Sequence, residues 1–115
     1  MTRDTQPLAV AEFPLTPTTA RRIVRDLATS HTGRIKLSKH ARQRMKQRDI
    51  TILQVMNVLK SRSNRFQEPP FERPDGNWQM NIEGVASGST LRIPLVLRRH
   101  EDDPTAFVLT LINIK

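Results

Sequence analysis

The sequence contains no cysteine and no tyrosine, and only five of its 115 residues are aromatic. Disulfides, thiolate metal sites and a thiol nucleophile are therefore excluded, and a base-stacking platform for single-stranded nucleic acid is disfavoured. No apolar run approaches the length of a membrane span. Glu12 and Pro14 interrupt the opening apolar stretch, which is unlike a secretory signal. We therefore expect a cytoplasmic protein without a membrane partner.

Acidic residues are scarce in the first half of the chain. Residues 1–62 carry thirteen Lys or Arg against four Asp or Glu, whereas residues 63–115 carry six against seven. Fourteen of the nineteen basic residues are Arg, whose planar guanidinium matches the geometry of phosphate and carboxylate groups. This asymmetry predicts a polyanion or an acidic protein as the partner.

Periodicity in the first half of the chain predicts helices. Residues 1–15 are polar and interrupted by Pro, so we expect a flexible arm followed by a single domain over residues 16–115. Capping residues precede apolar residues at helical spacing. The pattern predicts helices over residues 16–30 and 39–48, a short strand over 34–37, and a third helix from Thr51 to about Ser61 with Ile52, Val55, Met56 and Leu59 as its apolar stripe.

Periodicity in the second half predicts strands, because apolar and polar residues alternate. Pro94 has no N–H for a ladder, so its strand needs an edge or a bulge at that position. The order of elements predicts an α+β fold with N-terminal helices packed on an antiparallel β-sheet. We expect a loop over residues 67–76, strands over 78–83 and 90–97 joined by a turn at 84–89, and a central strand over 106–114.

The predicted helix over residues 39–48 is unusually basic. Ala41 and Met45 are its apolar residues, and His40, Arg44 and Arg48 follow one another at intervals of four along one flank. Cleavage of RNA without a metal ion needs an acid or base near neutral pH and cations for the phosphate charge. These three residues are therefore the candidate catalytic group.

Further basic residues are candidates for contact with the nucleic-acid backbone, and His100 is a candidate second titrating group. A simpler interpretation remains open, in which His40 hydrogen-bonds locally or packs at the edge of the core, Arg48 pairs with Asp49 or a carboxylate of the sheet, and Lys39, Arg42 and Lys46 face water. The acidic run at residues 101–103 is interpreted as a hairpin turn, so we expect no metal and no cofactor. The candidate backbone contacts are Lys39, Arg42, Lys46, Arg34, Arg98 and Arg99.

The run from Ser38 to Thr51 resembles the His-Ala, Arg-Met, Arg-Gly-Ile signature of a small prokaryotic domain of unknown function, with Asp49 standing at the Gly position. The similarity extends over about residues 33–114. That family is considered similar in fold to the RelE and BrnT toxins. The resemblance implies RNA cleavage, often on the ribosome, by a protein that an antitoxin silences. The residues that match the signature, and to which the resemblance assigns this activity, are His40, Arg44 and Arg48.

Two functions of different classes follow from these observations. The leading hypothesis is a toxin-like, metal-independent endoribonuclease or RNA-binding translation inhibitor, with RNA or the ribosome and an acidic antitoxin-like protein as partners. The alternative is a non-catalytic basic module that binds nucleic acid or an acidic protein. A third possibility is a degenerate member that keeps the fold without the activity.

Overall fold

A computed structural model of the protein describes residues 14–98 and 105–113. Within these ranges the chain forms three α-helices and six strands, which confirms the α+β class. The predicted arm lies outside the described residues except at its end, where Leu15 is buried in the core. The elements are α1 (Pro17–Ser30), β1 (Ile35–Leu37), α2 (Lys39–Arg48), α3 (Ile52–Lys60), β2 (Arg65–Glu72), β3 (Trp78–Ala86), β4 (Ser89–Leu97), β5 (Ala106–Val108) and β6 (Ile112–Asn113).

The helices begin and end where local chemistry places their caps. Thr51 and Gln54 form the predicted capping box at the start of α3, each side chain bonding to the backbone N–H of the other. At the end of α2, Asp49 adopts the left-handed conformation, with φ 56° and ψ 43°. Asp tolerates this conformation better than most residues do, so the turn forms without the glycine of the related signature.

The predicted apolar stripe of α3 is wrong at its first position. Val55, Met56 and Leu59 are buried, but Ile52 is 45% exposed and Val58 is buried in addition. Ile52 is the first residue of α3 and stays outside the core, so helical spacing alone overestimates the buried stripe.

The sheet has the strand order β1-β5-β4-β3-β2, and β6 pairs with β4. All pairs are antiparallel except β1 and β5, which run parallel. The predicted antiparallel meander therefore forms as β3, β4 and β5, and the short β1 pairs with β5 at the edge of the sheet opposite β2. Helices α1 and α3 pack against one face, where Gly84 permits a close approach of α3. A Cβ at Gly84 would lie 3.0 Å from Val58 Cγ1.

The predicted loop over residues 67–76 is too long, because residues 67–72 belong to β2 and only residues 73–76 form a turn. Pro69 and Pro70 suggested a loop, but β2 lies at an edge of the sheet, where missing N–H groups are tolerated. Its register with β3 shifts between Phe66 and Glu68 and again between Glu68 and Phe71. The predicted turn at 84–89 is also too long, since β3 and β4 meet at a two-residue turn of Ser87 and Gly88, both with positive φ.

The predicted central strand over residues 106–114 is interrupted. Residues 106–108 form β5 and residues 112–113 form β6, with a break between them opposite Pro94. The N–H of Leu109 donates to the Pro94 carbonyl at 2.9 Å. Because the nitrogen and the carbonyl of one residue point to the same side of a strand, the Pro94 nitrogen also faces this neighbour and has no hydrogen to donate to it. Leu95 pairs with Val108 and Arg92 pairs with Ile112, so an advance of three residues along β4 is matched by an advance of four residues in the opposing chain. The predicted irregularity at Pro94 therefore exists, but the extra residue lies in the neighbouring chain between β5 and β6 and not in the strand of Pro94 itself.

The sheet face opposite α1 and α3 carries one buried carboxylate. Glu83 is 5% exposed and accepts hydrogen bonds from Arg92 Nε at 2.7 Å and from Arg65 Nη2 at 3.1 Å. The bond from Arg92 lowers the pKa of Glu83 below its ordinary value near 4.5, and the Arg65 bond adds to this, whereas burial acts in the opposite direction. The charged form of Glu83 therefore stabilises the fold.

This carboxylate predicts an acid-dependent loss of stability. Because the folded pKa is lowered, the stabilisation is complete above the ordinary pKa and disappears as pH falls through the folded one. Glu83→Gln should cost about 1–2 kcal/mol at neutral pH and flatten the acid side of the stability curve, measured by urea unfolding over about pH 3–7. Glu68→Gln, at an exposed position of β2, should change neither the free energy of unfolding at neutral pH nor its dependence on pH. Equal acid slopes for wild type and Glu83→Gln would contradict this role.

Candidate functional site

Helix α2 is held to the sheet by few contacts. Ala41 is its only fully buried residue and Met45 is partly buried against the core. Ser38 caps the helix by accepting a hydrogen bond from the Ala41 N–H at 2.9 Å, and its hydroxyl donates to the Leu109 carbonyl at 2.7 Å. This serine therefore ties the start of α2 to the break between β5 and β6.

The predicted catalytic residues of α2 line one cleft with that break. His40, Arg44 and Arg48 form one wall, and residues 110–113 form the other, around a volume of about 310 Å³. His40 and Arg48 are exposed and Arg44 is half-buried. Successive members of the trio are four residues apart, which is about 6 Å along the helix axis. The structure thus brings together on one surface the three residues that helical spacing singled out.

The cleft is strongly cationic. Among the described residues, no Asp or Glu oxygen pairs with the side chains of His40, Arg44 or Arg48, so the predicted alternative pair between Arg48 and Asp49 does not form. Like charges four residues apart on a helix destabilise it by about 0.2–0.5 kcal/mol per pair. Arg44 and Arg48 form one such pair, and a bound anion would relieve it.

A model of the family Domain of unknown function (DUF4258) matches residues 37–112 of this chain. The chain belongs to the DUF4258 family. No curated protein and no solved structure matches it. The matched range contains α2 and the break after β5, and therefore most of the cleft. Helix α1 lies outside the matched range, although it packs against α3.

The other predicted contact residues lie outside the cleft of the DUF4258 domain. Lys39, Arg42 and Lys46 are exposed on the opposite flank of α2, as the helical spacing predicted. Arg34 is exposed just before β1. The guanidinium carbon of Arg98 lies 5.2 Å from the centre of the Phe107 ring and does not line the cleft. Arg99, His100 and residues 101–103 lie outside the described residues.

Two polar residues of the cleft were missed from sequence, namely Thr110 and Asn113. They fall within the apolar run that predicted one continuous strand, so nothing local identified them as site residues. The available signal was Pro94, whose missing N–H breaks the neighbouring strand and turns residues 110–113 toward α2. Thr110 supplies a hydroxyl and Asn113 an amide, both suited to bind phosphate oxygens.

Two kinds of site are not found in the described part of the DUF4258 domain. Residues 14–98 and 105–113 contain no cluster of three or more His, Asp or Glu side chains that could hold a metal ion. None of the helices described is both long and apolar enough to cross a bilayer. The side chains that line the cleft supply one imidazole, two guanidinium groups, a hydroxyl and an amide.

The dual role of Ser38 gives a testable prediction for the cleft. Ser38→Ala removes the α2 cap and the bond to Leu109, and should cost about 1–2 kcal/mol of unfolding free energy. Amide hydrogen exchange should accelerate at Leu109 and Thr110, since the wall of the cleft loses its tie to α2. Ser38→Thr keeps the hydroxyl and serves as the control. Unchanged exchange at Leu109 and Thr110 in Ser38→Ala would show that the serine does not position this wall.

Proposed function

We propose that this DUF4258 protein binds RNA in the α2 cleft and cleaves it without a metal ion, as a toxin-like endoribonuclease. The observation that carries the proposal is the convergence of His40, Arg44 and Arg48 on one cleft. An imidazole that can accept a proton and guanidinium groups that bind phosphate are the groups this reaction needs.

The reaction assigned to the cleft is transesterification at phosphorus. His40 takes the proton of a ribose 2′-hydroxyl, and the 2′-oxygen attacks the adjacent phosphorus. The bond from phosphorus to the 5′-oxygen breaks, and that oxygen takes a proton from the imidazolium or from water. The products are a 2′,3′-cyclic phosphate and a 5′-hydroxyl end. No oxidant, reductant or cofactor enters this balance.

On this proposal the two arginines bind different phosphates of the strand. Arg44 follows His40 by one turn and binds the reacting phosphate, so it stabilises the charge that develops on the oxygens. Arg48 lies a further turn along and binds the next phosphate. Thr110 and Asn113 complete the cleft from the other side. Lys39, Arg42 and Lys46 extend the positive surface along which RNA approaches.

The toxin-like part of the proposal rests on the α+β arrangement and on the expectation that the family is similar in fold to the RelE and BrnT toxins. Helices on one face of a mostly antiparallel sheet are the architecture that the resemblance implied. A fold does not by itself establish an activity, so the cleft carries the functional argument. On this proposal the substrate is RNA, free or on the ribosome, and an acidic antitoxin-like protein is the natural inhibitor.

The first test is cleavage of a labelled mixed-sequence RNA by the purified protein in EDTA, with and without ribosomes. The wild type should cleave, and His40→Ala should lower the rate by about 100-fold or more because the base is lost. The RNA affinity of His40→Ala should stay within about threefold, since phosphate contacts dominate binding.

The matched control is His31→Ala, which removes a histidine at the end of α1 that lies 4.0 Å from Asp26. It should cleave at the wild-type rate. Equal cleavage by wild type and His40→Ala would retain an enzyme but place its base elsewhere. No cleavage by the wild type, even with ribosomes, would overturn the catalytic proposal.

A second candidate function is a module that binds RNA in the same cleft without cleaving it. The observation that favours it is that His40 is the sole titratable acid or base among the residues that line the cleft, as far as the chain is described. A nuclease commonly uses both an acid and a base, whereas binding needs only the cations.

Binding in the cleft predicts a specific salt dependence. Replacing Arg44 and Arg48 together by Ala should make log K fall less steeply with log salt, by about 1.4 units of slope for two lost phosphate contacts on a single strand. Lys60→Ala with Arg62→Ala is a charge-matched control at exposed positions outside the cleft. Equal slopes for both double variants would mean that affinity follows net charge and not the cleft.

A further inference from the structure

A second concave surface lies on the other side of the α2–α3 turn. It is an apolar groove of about 380 Å³ between the start of β1 and the first turns of α3. The apolar groove shares no lining residue with the cleft, and its wall is largely aliphatic. Its lining residues are Thr32, Gly33, Ile35, Ile52, Leu53 and Met56.

The exposure of two neighbouring side chains distinguishes this groove from ordinary surface. Leu53 is 64% exposed and Ile52 is 45% exposed, at successive positions beside a concave apolar wall. Single exposed apolar residues are common, but apolar residues grouped around a groove mark an interaction site. Capping of α3 by Thr51 and Gln54 fixes both side chains at the rim, because the first turn of the helix cannot fray freely.

The chain around the apolar groove is positive. Between Asp26 and Glu68 there are ten Lys or Arg residues and a single acid, Asp49. All the lining residues come from this segment. Arg34 is exposed between the lining residues Gly33 and Ile35. A partner that fills the groove would therefore bind beside a positively charged part of the chain.

We propose that the apolar groove binds an acidic amphipathic segment of a partner protein. Its apolar side chains would enter the groove against Leu53 and Met56, and its carboxylates would lie beside the surrounding cations. RNA does not fit this surface, because no aromatic side chain lines the groove to stack a base and its wall offers few polar groups.

The edge of the sheet beside the groove suits an incoming chain. Among the described residues, β1 pairs only with β5, on one side. Ser38 donates its backbone N–H to the Val108 carbonyl at 3.1 Å. Backbone groups alternate between the two sides of a strand, so the N–H of the preceding Leu37 faces away from β5. An extended segment running along β1 would meet this edge while its side chains reach the apolar groove.

This inference does not depend on RNA cleavage. The groove and the cleft are lined by different residues, so variants at one surface leave the other intact. An acidic segment on this surface would also reduce the positive potential along α2, and would therefore lower the rate of RNA association. An inhibitor of the cleft could act from the groove without entering the cleft.

The test uses a displayed library of short random peptides, selected on the wild-type protein and synthesised for affinity measurements. The recovered peptides should carry net negative charge and at least two apolar residues. Leu53→Asp should weaken their binding by about tenfold or more, through lost apolar contact and added repulsion. Leu53 is largely exposed, so the variant should fold.

The matched control is Val85→Asp, which adds the same charge at a residue that is 65% exposed and pairs with Thr90 on the sheet face that carries Glu83. It should bind the peptides within about twofold of wild type. Leu53→Asp should keep RNA affinity within about threefold of wild type, because it adds one charge outside the cleft, and His40→Ala should leave peptide binding unchanged, which separates this proposal from the previous one.

Three outcomes would overturn the proposal. Recovered peptides without an acidic excess, or a failure to recover any, would rule out the assigned partner chemistry. Equal loss for Leu53→Asp and Val85→Asp would show that charge alone drives binding. A dimer of the protein in sedimentation that Leu53→Asp separates would assign the groove to a second copy of the chain instead.

Discussion

Pro94 has no backbone N–H, and the cleft depends on that missing donor. Strand β4 lies in the middle of the sheet and pairs with β3 without a break. On its other side the strand cannot be paired continuously, so the chain leaves the ladder after Val108 and returns at Ile112. The segment released by this break forms the wall that faces α2, and the Ser38 hydroxyl ties the two together. The interrupted pairing of β4 with β5 and β6 thus creates one wall of the cleft.

The charge on α2 is costly for the fold, which is why it points to function. The helix buries little apolar surface, and its basic side chains repel one another without a described acid to compensate them. The carboxylate Glu83 has two arginine partners on the sheet, so the protein does balance charge where stability requires it. The uncompensated charge is concentrated on α2, whose His40 flank faces the cleft.

Local signals in the sequence predicted the helices well and the sheet less completely. Caps at Thr16, Ser38 and Thr51 depend on residues three apart, so the bounds of the helices could be read directly. Strand β2 was missed because two prolines imitate a loop unless the strand is known to lie at an edge. The break after β5 was missed because it depends on Pro94, which is distant in sequence. The flank of α2 that carries His40, Arg44 and Arg48 was predicted because it also depends on a short spacing in sequence. Thr110 and Asn113 could be recognised as lining the cleft only from the three-dimensional fold.

The two proposed surfaces have opposite chemistry and can therefore be tested separately. His40 is exposed and makes no hydrogen bond to another described side chain. Leu53 is largely exposed and lies outside the core. Replacing either residue removes little that holds the core together, so a loss of function can be assigned to the surface and not to unfolding. Ser38 is the opposite case, since it belongs to both the fold and the cleft. A variant there changes stability and site geometry together, which makes it informative about positioning and uninformative about chemistry.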